Sequence, residues 1–418
     1  MNTTALPRVQ AVPWLCWASL TASICVAAGI YWDISWHETI GRDTFWTPAH
    51  LLVQFGAVLA GLASAWVVFR TTLVRDMVSR QASVNVLGFW GPLGAFILAW
   101  GAAAMLTSAP FDNWWHDAYG LDVKIISPPH ALLALGIAGI NWGAAFIALA
   151  EMNRAQGVQR TRLQYVVLGA GGFIVIQTMI LKLEYTNRVL LHSAMAYMVI
   201  SIGLLLLLEA LARASGHRWA RTIMTGVYSL FVLLMLWVLP LFPAQPKLGP
   251  VYQNITHMVP LPFPILLIVP AFVLDLIWPL LGQPQVWSKL SRVIIGGFAI
   301  VLAAPLIGLN LLFTKQKQEA WNKWLQAAVA GIIFLSILIA VEWPFATFLM
   351  MSPAAHNWAF APNDFPYFAP PTSPTVRHVF VPKTVEVFWL NMGLAFVLSV
   401  VSMRIGITYG NWLSRVRR

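Results

Sequence analysis

Long apolar runs constrain the fold of this chain more than any other feature. They recur near 12–31, 48–69, 84–107, 128–151, 163–182, 188–212, 221–242, 259–281, 293–313, 325–350 and 387–405. A helix of about 20 apolar residues crosses the roughly 30 Å of hydrocarbon in a bilayer. In hydrocarbon every backbone polar group needs an internal partner, and a helix supplies one within each run. The expected fold is therefore an all-α polytopic membrane protein of ten or eleven transmembrane helices. No soluble domain separates the runs, and the longest gap, 351–386, is rich in Pro and aromatic residues. Only 10% of the 418 residues are charged, well below the roughly 25% of a soluble domain.

The charges orient the runs. The net charge of +11 does not indicate a nucleic-acid partner, because the basic residues sit in short loops between apolar runs. Arg70, Arg75 and Arg80 share one loop, Arg154, Arg160 and Arg162 another, and Arg213, Arg218 and Arg221 a third. The alternate loops hold Asp33, Glu38, Asp43, Asp112, Asp117 and Asp122 against Arg42 and Lys124. Lys and Arg stay on the cytoplasmic side, so the acidic loops are expected outside, in a plasma membrane of bacterial type. Eleven full crossings would place the basic tail, with Arg415, Arg417 and Arg418, outside. Ten crossings place both termini in the cytoplasm. The 259–281 run carries Pro260, Pro262, Pro264, Pro270 and Pro279, which makes it the segment expected to be re-entrant or broken. Arg8 precedes the first run without a cleavage site, so that run reads as a retained helix. Cys16 and Cys25, nine residues apart on it, are too distant for a disulfide.

Two acidic loops carry the chemistry. "YWDISWHETIGRDTFWTPAH" holds Asp33, His37 and His50, spaced D-x3-H-x12-H. Positions i and i+4 share a helix face, so Asp33 and His37 point to one spot. Pro48 suits the first position of the next helix and fixes His50 close behind it. "FDNWWHDAYGLDVKIISPPH" nearly repeats the pattern with Asp112, His116 and His130, spaced D-x3-H-x13-H. Gly41 matches Gly120, Asp43 matches Asp122, and a Pro precedes each last His. One carboxylate and two imidazoles with open positions form a ligand set for copper, zinc or non-haem iron. Arg42, Asp43, Thr44 and Thr47, with Asp122 in the second copy, are candidates to hold the histidine rings from behind.

The first motif, Asp33, Trp36, His37, Arg42, Asp43, Thr44, Thr47, Pro48 and His50, resembles the copper motif in the C subunit of particulate methane and ammonia monooxygenases. The resemblance covers residues 12–150. It implies copper at Asp33, His37 and His50. That subunit carries a second Asn-x3-His-x13-His site, whose spacing Asp112, His116 and His130 reproduce with Asp in place of Asn. The resemblance further implies oxidation of a small apolar substrate with O2, an external electron donor, and other membrane subunits. Residues 1–160 thus form one unit of membrane helices carrying both motifs. Residues 161–418 are further membrane helices with a long outer loop and no family resemblance. Alternatives are a non-catalytic membrane metal-handling protein and a structural subunit of a larger complex. No haem attachment motif, flavin fingerprint or iron–sulfur cysteine set is present.

The remaining polar residues point less sharply. Trp32, Trp36, Trp46, Trp114 and Trp115 suit a membrane interface better than a substrate wall. His192, after Glu184 and Arg188, reads as a polar packing residue. His257, Glu342, His356 and His378 fall near the outer face without a motif. Asp275 reads as the lining of a cavity. Met350 and Met351 are soft enough for Cu(I), but gap filling in the core is their commoner role.

Overall fold

A computed structural model describes residues 11–41, 44–74, 80–120, 127–281, 315–361, 364–381 and 385–418, the side chains of 315–321 and 385–386 excepted. Among the described residues nine helices are long and apolar enough to cross a membrane. The chain runs through α1 (Trp14–Thr39), α2 (Pro48–Leu73), the hairpin β1 (Val84–Val86) and β2 (Phe89–Gly91), α3 (Leu93–Tyr119), α4 (Pro128–Arg154) and α5 (Gly157–Ile180). It continues through α6 (Ala194–Ser201), α7 (Leu204–Ser215), α8 (Ala220–Val238), α9 (Ile268–Leu281), α10 (Lys315–Met351) and α11 (Val385–Leu413). This is an all-α polytopic membrane protein. The candidate run at 293–313 lies outside the described residues.

Two departures from simple hydropathy have local causes. The run expected from 84 starts as a hairpin, with Leu87 (φ 49°) and Gly88 (φ 90°) in its two-residue turn, and helix begins only at Leu93. Positive φ at both central residues is the hairpin turn that matches strand twist. The Pro-rich run at 259–281 is indeed broken. Residues 259–266 form no regular helix or strand, Leu267 sits in a turn, and α9 follows. Pro260, Pro262 and Pro264 have no N–H to satisfy, and side chains serve the neighbouring groups. Thr39 Oγ1 accepts from the Val259 N–H (2.8 Å), Tyr228 Oη from that of Ile265 (3.1 Å), and Glu342 Oε2 from that of Leu266 (2.8 Å).

A second break separates α6 from α7 at Gly203 (φ 78°), where Lys182 Nζ donates to the carbonyls of Val199 (2.7 Å) and Ile202 (2.6 Å). The acid thus sits at the start of one half-helix and the ammonium at the end of another, as helix dipoles favour. At the bundle end opposite the two motifs, Arg221 bridges Glu209 Oε2 (2.5 Å) and Asp275 Oδ1 (2.8 Å), all three nearly sealed from solvent. Asp275 also accepts from the Thr222 N–H and hydroxyl, both at 2.8 Å. It therefore ties α8 to α9.

The duplication seen in the motifs extends into the packing. α1–α2 and α3–α4 are antiparallel helix pairs joined at the same bundle end. In the first, a Cβ on Gly56 would lie 2.7 Å from Val26 and 2.9 Å from the Ala22 carbonyl. In the second, a Cβ on Gly136 would lie 2.5 Å from Met105 and 2.9 Å from the Gly101 carbonyl. Val26 and Met105 each stand seven residues before the motif Asp, Ala22 and Gly101 eleven before it. Small residues at equivalent crossings let both pairs approach closely.

Candidate metal centres

Each motif closes where one helix ends and the next begins. Asp33 and His37 occupy the last turns of α1, and Asp112 and His116 those of α3. Beyond them Gly41 (φ 87°) and Gly120 (φ 85°) turn the chain through a region that L side chains rarely adopt. Pro48 and Pro128 take the first positions of α2 and α4, so His50 and His130 both fall on the third residue of a helix.

The folded chain brings both triads together. His50 Nε2 lies 3.0 Å from Asp33 Oδ1, and His37 Nε2 lies 3.9 Å from Oδ2 of the same carboxylate. In the second copy His130 Nε2 is 3.5 Å from Asp112 Oδ1, and His116 Nε2 is 3.5 Å from Oδ2. Metal–nitrogen and metal–oxygen bonds are about 2.0–2.2 Å, which separates two donors on one ion by roughly 3–3.5 Å. Three of the four distances fall in that range, and His37 stands outside it. The carboxylate lies between its two imidazoles in both copies. Among the described residues no group of three or more His, Cys, Asp or Glu side chains is placed so that it could hold a metal ion.

The backbone fixes the ring orientation. His50 Nδ1 pairs with the Thr44 carbonyl (2.9 Å), and His116 Nδ1 with that of Gly120 (3.0 Å). A carbonyl only accepts, so each Nδ1 carries a proton, and Nε2 is turned toward the carboxylate. Thr47 Oγ1 donates to the same Thr44 carbonyl (3.0 Å). Asp33 Oδ1 and Asp112 Oδ1 are shielded from solvent and face His50 Nε2 and His130 Nε2. The supporting role expected of Thr44 thus comes from its backbone. Arg42, Asp43 and Asp122 lie outside the described residues. The Gly120 carbonyl was not foreseeable as an acceptor, because a carbonyl leaves no mark in sequence.

The other candidate residues disperse. His257 pairs with Asp364 (3.2 Å), while His356 stacks on His378 with ring centroids 4.8 Å apart. Glu342 serves the helix break. His192 is a packing residue, sandwiched between Trp343 (4.3 Å) and Phe380 (3.5 Å), with Nε2 at the Trp343 carbonyl. Trp46 and Trp114 are exposed, as an interfacial belt requires, while Trp32 and Trp36 pack against Ile40, Leu239 and Met258. Met350 is buried and Met351 exposed. The chain matches no family model, no curated protein and no solved structure.

Proposed function

We propose that the chain is a membrane metal-binding protein whose two triads, Asp33/His37/His50 and Asp112/His116/His130, each hold a first-row transition-metal ion. The observation that carries the reading is the repeated placement of one carboxylate between two imidazole nitrogens, at 3.0 and 3.9 Å in the first triad and at 3.5 Å twice in the second. One carboxylate flanked by two imidazoles is a three-donor set of the kind that holds a transition-metal ion. The two residue types suit copper, zinc and iron; the sequence resemblance favours copper.

The chain's own part in such a site is orientation. The Thr44 and Gly120 carbonyls hold His50 and His116 with Nε2 forward, as outer partners of metal-bound histidines do. The glycine turns and helix-starting prolines set the separation of Asp and His. Copper, when bound, supplies redox chemistry, and the substrate class that fits the resemblance is a small apolar molecule arriving through the bilayer. The basic loops favour a cytoplasmic location for both chain ends and an outer location for the triads.

Elemental analysis of the protein purified in lipid tests the reading. Copper at stoichiometric level is expected, and its loss in the His37→Ala/His116→Ala double variant. Absence of metal, or metal unaffected by the two substitutions, overturns it. Bound copper without O2 consumption, given a reductant and apolar substrates, assigns the protein to metal handling and not to oxygenation.

A further inference from the structure

The hairpin β1–β2 carries a residue that its own turn disfavours. Leu87 stands at φ 49°, in the left-handed region, and Gly88 follows at φ 90°. Asn-Gly is the usual pair for such a turn, because Asn tolerates positive φ and Leu does not. Yet Leu87 is there, and it is 95% exposed, with Val86 and Phe89 exposed beside it. In water a polar residue would be better at this tip on both counts, backbone and solvation. Leucine suits the tip where the surrounding medium is apolar.

The packing of the hairpin sets it at the edge of such a medium. The 26 residues of α2 span about 39 Å, so the helix overruns the roughly 30 Å of hydrocarbon by a few ångströms at each end. Its last turns reach the boundary between acyl chains and headgroups, and there the hairpin packs. The Phe89 ring meets that of Phe69 (5.7 Å between centroids), Gly91 closes on Val68, and Thr72 Oγ1 accepts from the Trp90 N–H (2.8 Å). Phe69 belongs with Leu62, Trp66 and Leu73 to an exposed apolar stripe spaced as one helix face. The tip continues that stripe.

Beside the tip stands an oriented cation. Arg80 Nη2 donates to the Thr72 carbonyl (3.0 Å), and the guanidinium lies over the Trp90 ring, 5.4 Å from its centroid. Arg80 Nε is sealed, but Nη1 and the Trp90 indole nitrogen are not, and neither has an acceptor among the described residues. Ion pairs among the described residues hold Arg154, Arg213 and Arg221; neither Arg80 nor the exposed Arg70 in the last turn of α2 has one. From Arg70 to Phe111 the sequence sets three arginines against one acid, Asp76.

We propose that the hairpin is an interfacial anchor, in which Val86, Leu87 and Phe89 insert among lipid chains while Arg80 and Trp90 bind the phosphate of an anionic phospholipid. A guanidinium meets phosphate oxygens through charge-assisted hydrogen bonds, and tryptophan favours the same depth. The excess of arginine selects a lipid of net negative charge over a zwitterion, whose ammonium it repels. Free phosphate would leave the leucine tip without a role.

Neither triad takes part, so the outcome is independent of metal. The full chain is released from nanodiscs of equal dioleoylphosphatidylglycerol and dioleoylphosphatidylcholine, and the lipids it retains are counted by native mass spectrometry. The unmodified protein should retain phosphatidylglycerol at least threefold over phosphatidylcholine, and Arg80→Gln should remove one phosphatidylglycerol. Leu87→Asn should weaken the same retention while suiting the turn, so its effect is not misfolding. A nitroxide at Leu87→Cys, with Cys16 and Cys25 replaced by Ala, should collide with O2 more often than with a water-soluble nickel chelate. No loss on Arg80→Gln, an equal loss from Arg218→Gln at another Arg–Trp pair, displacement by excess inorganic phosphate, or a nitroxide that meets mainly the chelate overturns the proposal.

Discussion

Gly101→Ala puts the duplicated helix crossing to a quantitative test. An added Cβ would lie 2.6 Å from the Ile140 nitrogen, 2.7 Å from the Gly136 carbonyl oxygen and 2.7 Å from the Gly139 carbonyl carbon. All three are backbone atoms of α4, so no side chain can rotate away. Non-bonded carbon atoms settle at about 3.5–4.0 Å, so the helices must separate by roughly 0.8 Å or more. Overpacking of this kind costs about 1–3 kcal/mol. The opposite sign is expected at Gly61, in α2, whose added Cβ would meet Ala102 at an ordinary 3.4 Å. There the gain in helix propensity, up to about 1 kcal/mol, stands alone. Reversible unfolding in mixed SDS micelles reads both variants on one scale. If metal is bound, Gly101→Ala should also weaken it at Asp112/His116/His130 while sparing Asp33/His37/His50, because ligand distances tolerate only about 0.2 Å. Unfolding curves for Gly101→Ala that coincide with wild type, or lie beyond those of Gly61→Ala, would refute the reasoning.

Arg221→Met leaves Glu209 and Asp275 as buried carboxylates without their shared cation, and should cost about 3–5 kcal/mol in the same unfolding assay; removing both acids along with the arginine should recover much of the loss. In the outer loop, burial and the nearby His356 and Arg188 lower the His378 pKa from its ordinary 6.5. The unfolded state then binds more protons between the lowered value and 6.5, so loop stability is full above 6.5 and falls as pH drops through that window. Hydrogen-exchange protection factors at Val379 and Tyr367 should fall from pH 7.5 to 5.5, and His378→Asn, which tolerates the φ of 50°, should flatten the dependence.

Spans and triads were legible in sequence because each rests on a local pattern. The apolar runs report transfer cost residue by residue. Asp33/His37 and Asp112/His116 need only a helix to meet, and Pro48 and Pro128 announce the helices that carry His50 and His130. The prolines at 260, 262 and 264 betrayed the broken segment. What escaped depends on direction across helices. Val84–Gly91 is apolar enough to read as membrane, yet it turns back at Leu87–Gly88 with no Asn-Gly to signal it. Glu209, Arg221 and Asp275 meet from three helices, and nothing in hydropathy says which way a charge faces.

The two copies differ most on the face that meets the rest of the protein. Around the first triad, Ser35 Oγ donates to the Val259 carbonyl (2.5 Å) and Thr39 accepts from the Val259 N–H. The Glu38 carbonyl takes the Tyr367 N–H (2.9 Å), and that of Ile40 the Lys247 N–H (2.9 Å). Residues 243–259 and 367 thus clasp the end of α1, and a Cβ on Gly41 would strike the Tyr367 ring. In the second copy the positions matching Ser35, Thr39 and Ile40 are Trp114, Ala118 and Tyr119, all exposed. Neighbours have changed, hydrogen-bonding groups have been lost, and a buried face has become an open one. Through that change both copies still set one carboxylate between two imidazoles. The Asp/His/His arrangement therefore forms both with the clasp and where the described residues show none. Each triad is thus set by its own helix pair, through a helix end, a glycine turn and a helix-starting proline.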